Sequence, residues 1–146
     1  MKIHLLTAVA LATTALAAAP LQAQKSAADY GNYTDVSAVH VLPGQWENYM
    51  DYLKTDWIRQ NEWAKSKGYI LSYRALAVTY PREGEPNLVL IREYKDVPSQ
   101  AEAKRRDDEF AAFVKLDDHQ RADASVKRGP MRTIGSQNQY QEVVFK

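Results

Sequence analysis

Between Asp35 and Lys95 the spacing of apolar residues changes twice, and few folds accommodate both changes in so short a stretch. From Val36 to Leu42 the residues are small or β-branched and alternate. Ser37, Val39 and Val41 share one face of a strand, and Val36, Ala38 and His40 share the other. Pro43-Gly44 then turns the chain into a stretch where Trp46, Tyr49, Met50, Leu53, Trp57 and Ala64 recur at three-to-four spacing. That is the stripe of a half-buried helix. Lys65 and Lys67 suit the negative end of its dipole, and Gly68 suits the position just past its end. Period two returns over Tyr69 to Tyr80 and, after Pro81-Arg82-Glu83-Gly84-Glu85-Pro86, over Leu88 to Tyr94. The loop is built of turn formers, and its shortness implies that the two strands pair antiparallel. Both are apolar on both faces, as in a sheet covered on two sides.

The rest of the chain completes the pattern. Ser99-Gln100-Ala101-Glu102 reads as a capping box, so a helix begins at Gln100, with Phe110, Phe113, Val114 and Asp117 continuing its buried side. Helical character runs to about Arg128 with a break near Asp117-Asp118, and Gly129-Pro130 stops it. Residues 130–138 read as irregular, and Tyr140 to Phe145 as a last strand. The expected class is α+β with the order strand-helix-strand-strand-helix-strand. This is the ferredoxin-like βαββαβ arrangement, an antiparallel sheet with two helices on one face. Its other face is bare unless something covers it. The domain spans 35–146. Residues 24–34, small and polar apart from Tyr30 and Tyr33, read as a flexible leader.

Val41-Leu42-Pro43-Gly44, a strand ending in Pro-Gly, followed by Tyr49 on an aromatic-rich helix, resembles the dimeric α+β barrel superfamily. The nearest flavour is NIPSNAP-like, and the antibiotic-biosynthesis-monooxygenase-like and EthD-type groups share the fold. The resemblance covers most of residues 35–146 in element order. It implies a homodimer in which two sheets pack face to face, with a pocket between each sheet and its helices or within the barrel.

Residues 1–23 have the form of a signal peptide: Lys2, an uncharged apolar run from Ile3 to Ala19, and Pro20-Leu21-Gln22-Ala23 as the cleavage region. The run is about 17 residues and rich in Ala, short of the roughly 20 strongly apolar residues of a membrane anchor. The expected location is the periplasm or the medium, with no membrane attachment after cleavage. Loss of Lys2 brings Lys+Arg down to the same 18 as Asp+Glu. A near-neutral chain without a basic run argues against nucleic acid as a partner. There is no cysteine, which removes thiol chemistry and disulfides and leaves core burial or oligomerisation to hold an exported domain together.

Several residue groups could carry chemistry. His40 stands near the end of the first strand. It is either a general base or axial haem ligand in a pocket, or a strand-end histidine bonded to a neighbour. Tyr73, Arg74 and Arg92 come from the hairpin. An arginine in an apolar strand is costly unless paired or bound to an anion, so Arg74 or Arg92 would suit a carboxylate or phenolate, or else an ion pair. Trp46 and Trp57 lie on the helical stripe. Trp63 does not, which makes it the better candidate for an interface or a pocket lid. Asp117, Asp118, His119 and Asp123, like Asp107-Asp108-Glu109, read as solvated acidic faces with no metal implied. Ser37, Ser72 and Ser125 lie in no nucleophile-elbow context.

The expectation is an exported homodimer that binds a small apolar or aromatic ligand in a barrel pocket on the His40 face, with Trp63 and Arg74 as ligand contacts. The alternative is a cofactor-poor monooxygenase or isomerase on an aromatic substrate. There, His40, Tyr73 and Arg92 would be base, proton donor and anion clamp. A haem-binding protein, with His40 as ligand, is the third reading.

Overall fold

The computed structural model describes residues 26–146, so the signal segment expected at 1–23 lies outside the described residues. Four strands, β1 (Ala28–Val41), β2 (Ser72–Ala77), β3 (Leu88–Tyr94) and β4 (Arg132–Phe145), form one antiparallel sheet in the order β2-β3-β1-β4. Between β1 and β2, α1 (Trp46–Tyr52), a π-helical turn (Leu53–Trp57) and α2 (Ile58–Ser66) run on as one rod. Two further helices, α3 (Gln100–Val114) and α4 (Asp118–Val126), lie between β3 and β4. The class is α+β. Among the described residues no helix is long and apolar enough to cross a membrane.

The π turn follows from the spacing of the rod's buried residues. Tyr49, Leu53, Trp57 and Asn61 are the ones it buries, and each is four residues after the last. At 3.6 residues per turn, a step of four carries a side chain roughly 40° past the one before. A regular α-helix would therefore swing Asn61 away from the sheet. The wider turn over Leu53–Trp57 takes out that drift, and the Ile58 N–H duly reaches back to the Leu53 carbonyl. Trp46, expected on the same stripe, is instead 36% exposed at the rod's start. The rod ends as expected at Gly68, whose φ of +70° is left-handed. There the Gly68 N–H bonds Lys65 and the Tyr69 N–H bonds Ala64, the paired bonds of a Schellman end.

The two outer expectations change. β1 starts at Ala28 rather than Val36, so most of the expected leader is strand, and β4 starts at Arg132 rather than Tyr140. Each strand is the other's template. Their pairing runs from Ala28 opposite Phe145 to Val41 opposite Arg132, with register shifts between Tyr30 and Tyr33 and between Ser37 and Val39. Those shifts absorb Gly31-Asn32 and Gly135-Ser136, the small polar residues that read as loop, as bulges in an otherwise regular ladder. At Gly31 a Cβ would meet the Glu142 side chain, whose carboxylate end would have to swing aside. β2 is shorter than Tyr69 to Tyr80 and keeps only Ser72–Ala77.

The core is a single cluster. Val39, Val41 and Leu88 from the sheet meet Tyr49, Leu53 and Trp57 from the rod. α3 and α4 bury no residue. Instead Phe110 and Phe113 of α3 pack on Trp63 of α2, with ring centroids 5.6 and 5.0 Å away. Ser99 caps α3 by accepting from the Glu102 N–H, but the Glu102 carboxylate turns to Arg105 and Arg106. The reciprocal capping box is at Asp117 and Gln120, where the helical stretch breaks as expected. On the sheet face away from the rod nothing is buried. Val36, Ala38, Val89 and Ile91 are half-buried, and Leu76 and Tyr140 are exposed.

Candidate functional site

Where the rod stands off the sheet, a cleft of about 430 Å³ opens. Ser37, Leu90 and Ile134 form its sheet side, and Tyr49, Tyr52 and Trp57 its rod side. β1 contributes the small Ser37 between buried Val39 and the polar Asp35, so the apolar packing stops there and space begins. Arg92, Arg128 and Arg132 bring guanidinium groups to this one cleft, and Asp35 is its sole carboxylate. Among the described residues none of those arginines is in an ion pair.

Arg92 is held from two sides. It lies opposite Asp35 across the β1–β3 ladder and opposite Tyr73 across β2–β3. Its Nε–H donates to Asn61 Oδ1 at 2.7 Å, and Asn61 Nδ2 donates to the Trp57 carbonyl at 2.6 Å. Asn61 is 1% exposed. Both ends of its amide are thus satisfied, as a buried amide requires. Beyond that bond the Arg92 residue is exposed, and it lines the cleft. Burial lowers its pKa, with Tyr52 and Asp35 opposing, and it stays cationic. Asp35 is itself engaged, accepting from the Tyr94 hydroxyl at 2.8 Å and from Gln139 Nε2 at 3.3 Å. Burial, then that bond to Asp35, pushes the Tyr94 hydroxyl up to about 12.

The other end of the cleft is more strongly positive. The Tyr49 and Tyr52 rings are 5.5 Å apart. Arg128 lies over Tyr52 at 4.8 Å and donates from one terminal nitrogen to the Ala124 carbonyl. Arg132 is close enough to Tyr49 to draw its pKa down, while burial, the larger effect, pushes it up. Tyr49 therefore offers a neutral O–H at physiological pH. The Arg132 Nε is buried without a hydrogen-bond partner among the described residues.

The residues singled out from sequence are dispersed. Tyr73 and Arg92 are cross-strand neighbours, but the Tyr73 hydroxyl donates to Glu62, which raises its pKa. His40 is on the reverse face. It is five positions from Asp35, the partner of Arg92, and an odd interval along a strand changes face. Its Nδ1 lies 3.1 Å from the Glu85 carbonyl, beside the β2–β3 loop. The cleft accordingly takes Arg92 and leaves His40 out. Arg74 is exposed and on the His40 face. Trp63 is stacked between α2 and α3, in contact with Tyr69, Phe110 and Phe113. His119 and Asp123 are exposed on α4.

Sequence reasoning missed Asn61, Arg128 and Arg132, and read Tyr49 and Trp57 as core alone. One signal was present: Asn61 is a polar residue continuing the four-residue spacing of Tyr49, Leu53 and Trp57. No family model, curated protein or solved structure matches this chain.

Proposed function

We propose that this protein binds a small aromatic or apolar ligand with a polar end, between the rod and the sheet. The observation that carries this reading is the cleft's lining, in which Tyr49, Tyr52 and Trp57 on the rod face Ser37, Leu90 and Ile134 on the sheet. Binding sites combine such apolar walls with a few placed polar groups. Binding is preferred to catalysis because His40, the base of the catalytic reading and the iron ligand of the haem reading, is on the other face of the sheet. The strand order β2-β3-β1-β4 is compatible with the ferredoxin-like arrangement. A homodimer resembling the α+β barrels is supported by the uncovered face of Val36, Ala38, Val89 and Ile91, and by Tyr30 and Phe145 exposed at the far end of the β1–β4 ladder. Export with cleavage near Ala23 completes the proposal.

Native mass spectrometry of the protein as isolated tests the binding reading directly. A co-purified small molecule that is lost in Trp57→Ala, with the fold intact by circular dichroism, is the expected result. A ligand retained in full by that variant would put the site elsewhere. Light scattering at micromolar concentration should report twice the protomer mass, and N-terminal sequencing of exported protein should begin within a few residues of Gln24. A monomer, or an intact Met1, would remove those two parts of the proposal separately.

A further inference from the structure

We infer that the ligand is an aromatic carboxylate whose acid group is received by Arg128 and Arg132, an inference that rests on the binding reading above. The protein carries nearly equal numbers of basic and acidic residues, and Arg59, Arg82, Arg105, Arg106 and Arg121 are in ion pairs. Among the described residues Arg74, Arg92, Arg128 and Arg132 are in no ion pair, and three of these four line the cleft. Its single carboxylate, Asp35, is opposite Arg92 in the ladder, six positions along β1 from Val41, the partner of Arg132. At roughly 3.3 Å per residue this separates the two ends by about 20 Å along the strand. Asp35 therefore offsets Arg92, and no carboxylate is within salt-bridging distance of Arg128 or Arg132 among the described residues.

Unpaired charge at a concave, partly desolvated surface is unfavourable unless an anion completes it. The guanidinium fork matches the two oxygens of a carboxylate. The neutral Tyr49 hydroxyl is beside Arg132 and can donate as well. The ring of the ligand then extends toward Tyr52 and Trp57, where aromatic faces prefer offset or edge contact. A neutral apolar ligand would leave the arginines uncompensated. Inorganic phosphate would leave the aromatic wall unused.

Calorimetric titration with 2-naphthoate, its neutral amide and inorganic phosphate separates these cases. The naphthoate should bind at least tenfold tighter than either of the others. Arg132→Met should abolish that preference, and the exposed Arg82→Met should leave it unchanged. Should Arg132→Met fail to fold, Arg132→Lys and Arg128→Met replace it, each expected to weaken naphthoate more than the amide. Equal binding of naphthoate and naphthamide would overturn the carboxylate inference and leave the binding reading standing. Phosphate binding as tightly as naphthoate would overturn the aromatic part. Binding of none of the three at millimolar concentration would overturn both this inference and the reading on which it rests.

Discussion

The rod and the α3–α4 pair are both helical, yet they are attached by different forces. The rod buries Tyr49, Leu53, Trp57 and Asn61 against the sheet. α3 and α4 bury nothing and rely on the aromatic contacts of Trp63 and on surface ion pairs. Arg121 bridges Asp107 of α3 and Asp118 of α4, Lys104 meets Asp108, and Arg105 meets Glu102 and Glu109. Buried apolar area is close to independent of salt, whereas exposed pairs are screened and contribute little each. The cleft is built on the rod side, where the wall can be held still. Arg128, just past α4, is the one cleft arginine that the looser pair contributes.

The largest effect should come from Leu53, 5% exposed at the centre of the core. Leu53→Ala should cost about 2–5 kcal/mol in a urea titration, through lost transfer energy and a residual cavity. Asp51→Ala, exposed on the same rod, should cost less than about 0.5 kcal/mol. Equal losses would mean that the rod is not anchored by the face it buries.

Asn61→Ala comes next, at about 1–3 kcal/mol, because it removes a buried amide bonded to a charged guanidinium and to the Trp57 carbonyl. A double-mutant cycle with Arg92→Met should show coupling between the two sites. Strict additivity would show that Asn61 is merely packed and does not orient Arg92.

In the looser region, Arg121→Ala should change global stability by less than about 1 kcal/mol. Amide exchange over Asp118–Val126 should nevertheless quicken, and added salt should reproduce much of that change in the unaltered protein. A global loss matching that of Leu53→Ala would erase the distinction between the two helical regions.

The smallest effects lie at the pH extremes, and each belongs to one region. The Tyr94 hydroxyl, on the sheet, is raised from 10.0 to about 12. Between those values the unfolded chain gives up its proton while the folded one keeps it, so stability falls as pH rises through that window. Tyr94→Phe should flatten the slope. Glu102, in α3, is lowered from 4.5 to about 2 by its bonds to Arg105 and Arg106. Its contribution is present above 4.5 and is lost as pH falls through about 2, and Glu102→Gln should remove that slope. If Tyr94→Phe altered the acid limb, or Glu102→Gln the alkaline one, the regions would not be separable by titration.

Legibility in the sequence followed the range of the interaction concerned. The end of the rod at Gly68, the start of α3 after Ser99 and the break at Asp117 were all readable, because caps join residues three to five apart. The extents of β1 and β4 were not. Gly31-Asn32 and Gly135-Ser136 look like loop until each is seen as a bulge against a partner in the strand at the other end of the domain. The π turn was half legible, in the strict four-residue spacing from Tyr49 to Asn61.

By itself, then, the sequence determined the α+β class, the antiparallel β2–β3 pair and the apolar stripe of the rod, since periodicity and capping chemistry act within a few residues. Tertiary structure decided which charges share a space. Alternation alone already put His40 and Val39 on opposite faces, but only the β1–β3 register set Arg92 beside Asp35. Only the early start of β4 carried Arg132 into the sheet opposite Val41, and only the return of the chain after α4 brought Arg128 over Tyr52. A guanidinium's neighbours are set by which strands pair and where the helices dock, and for Arg92, Arg128 and Arg132 those neighbours come from segments far apart along the chain.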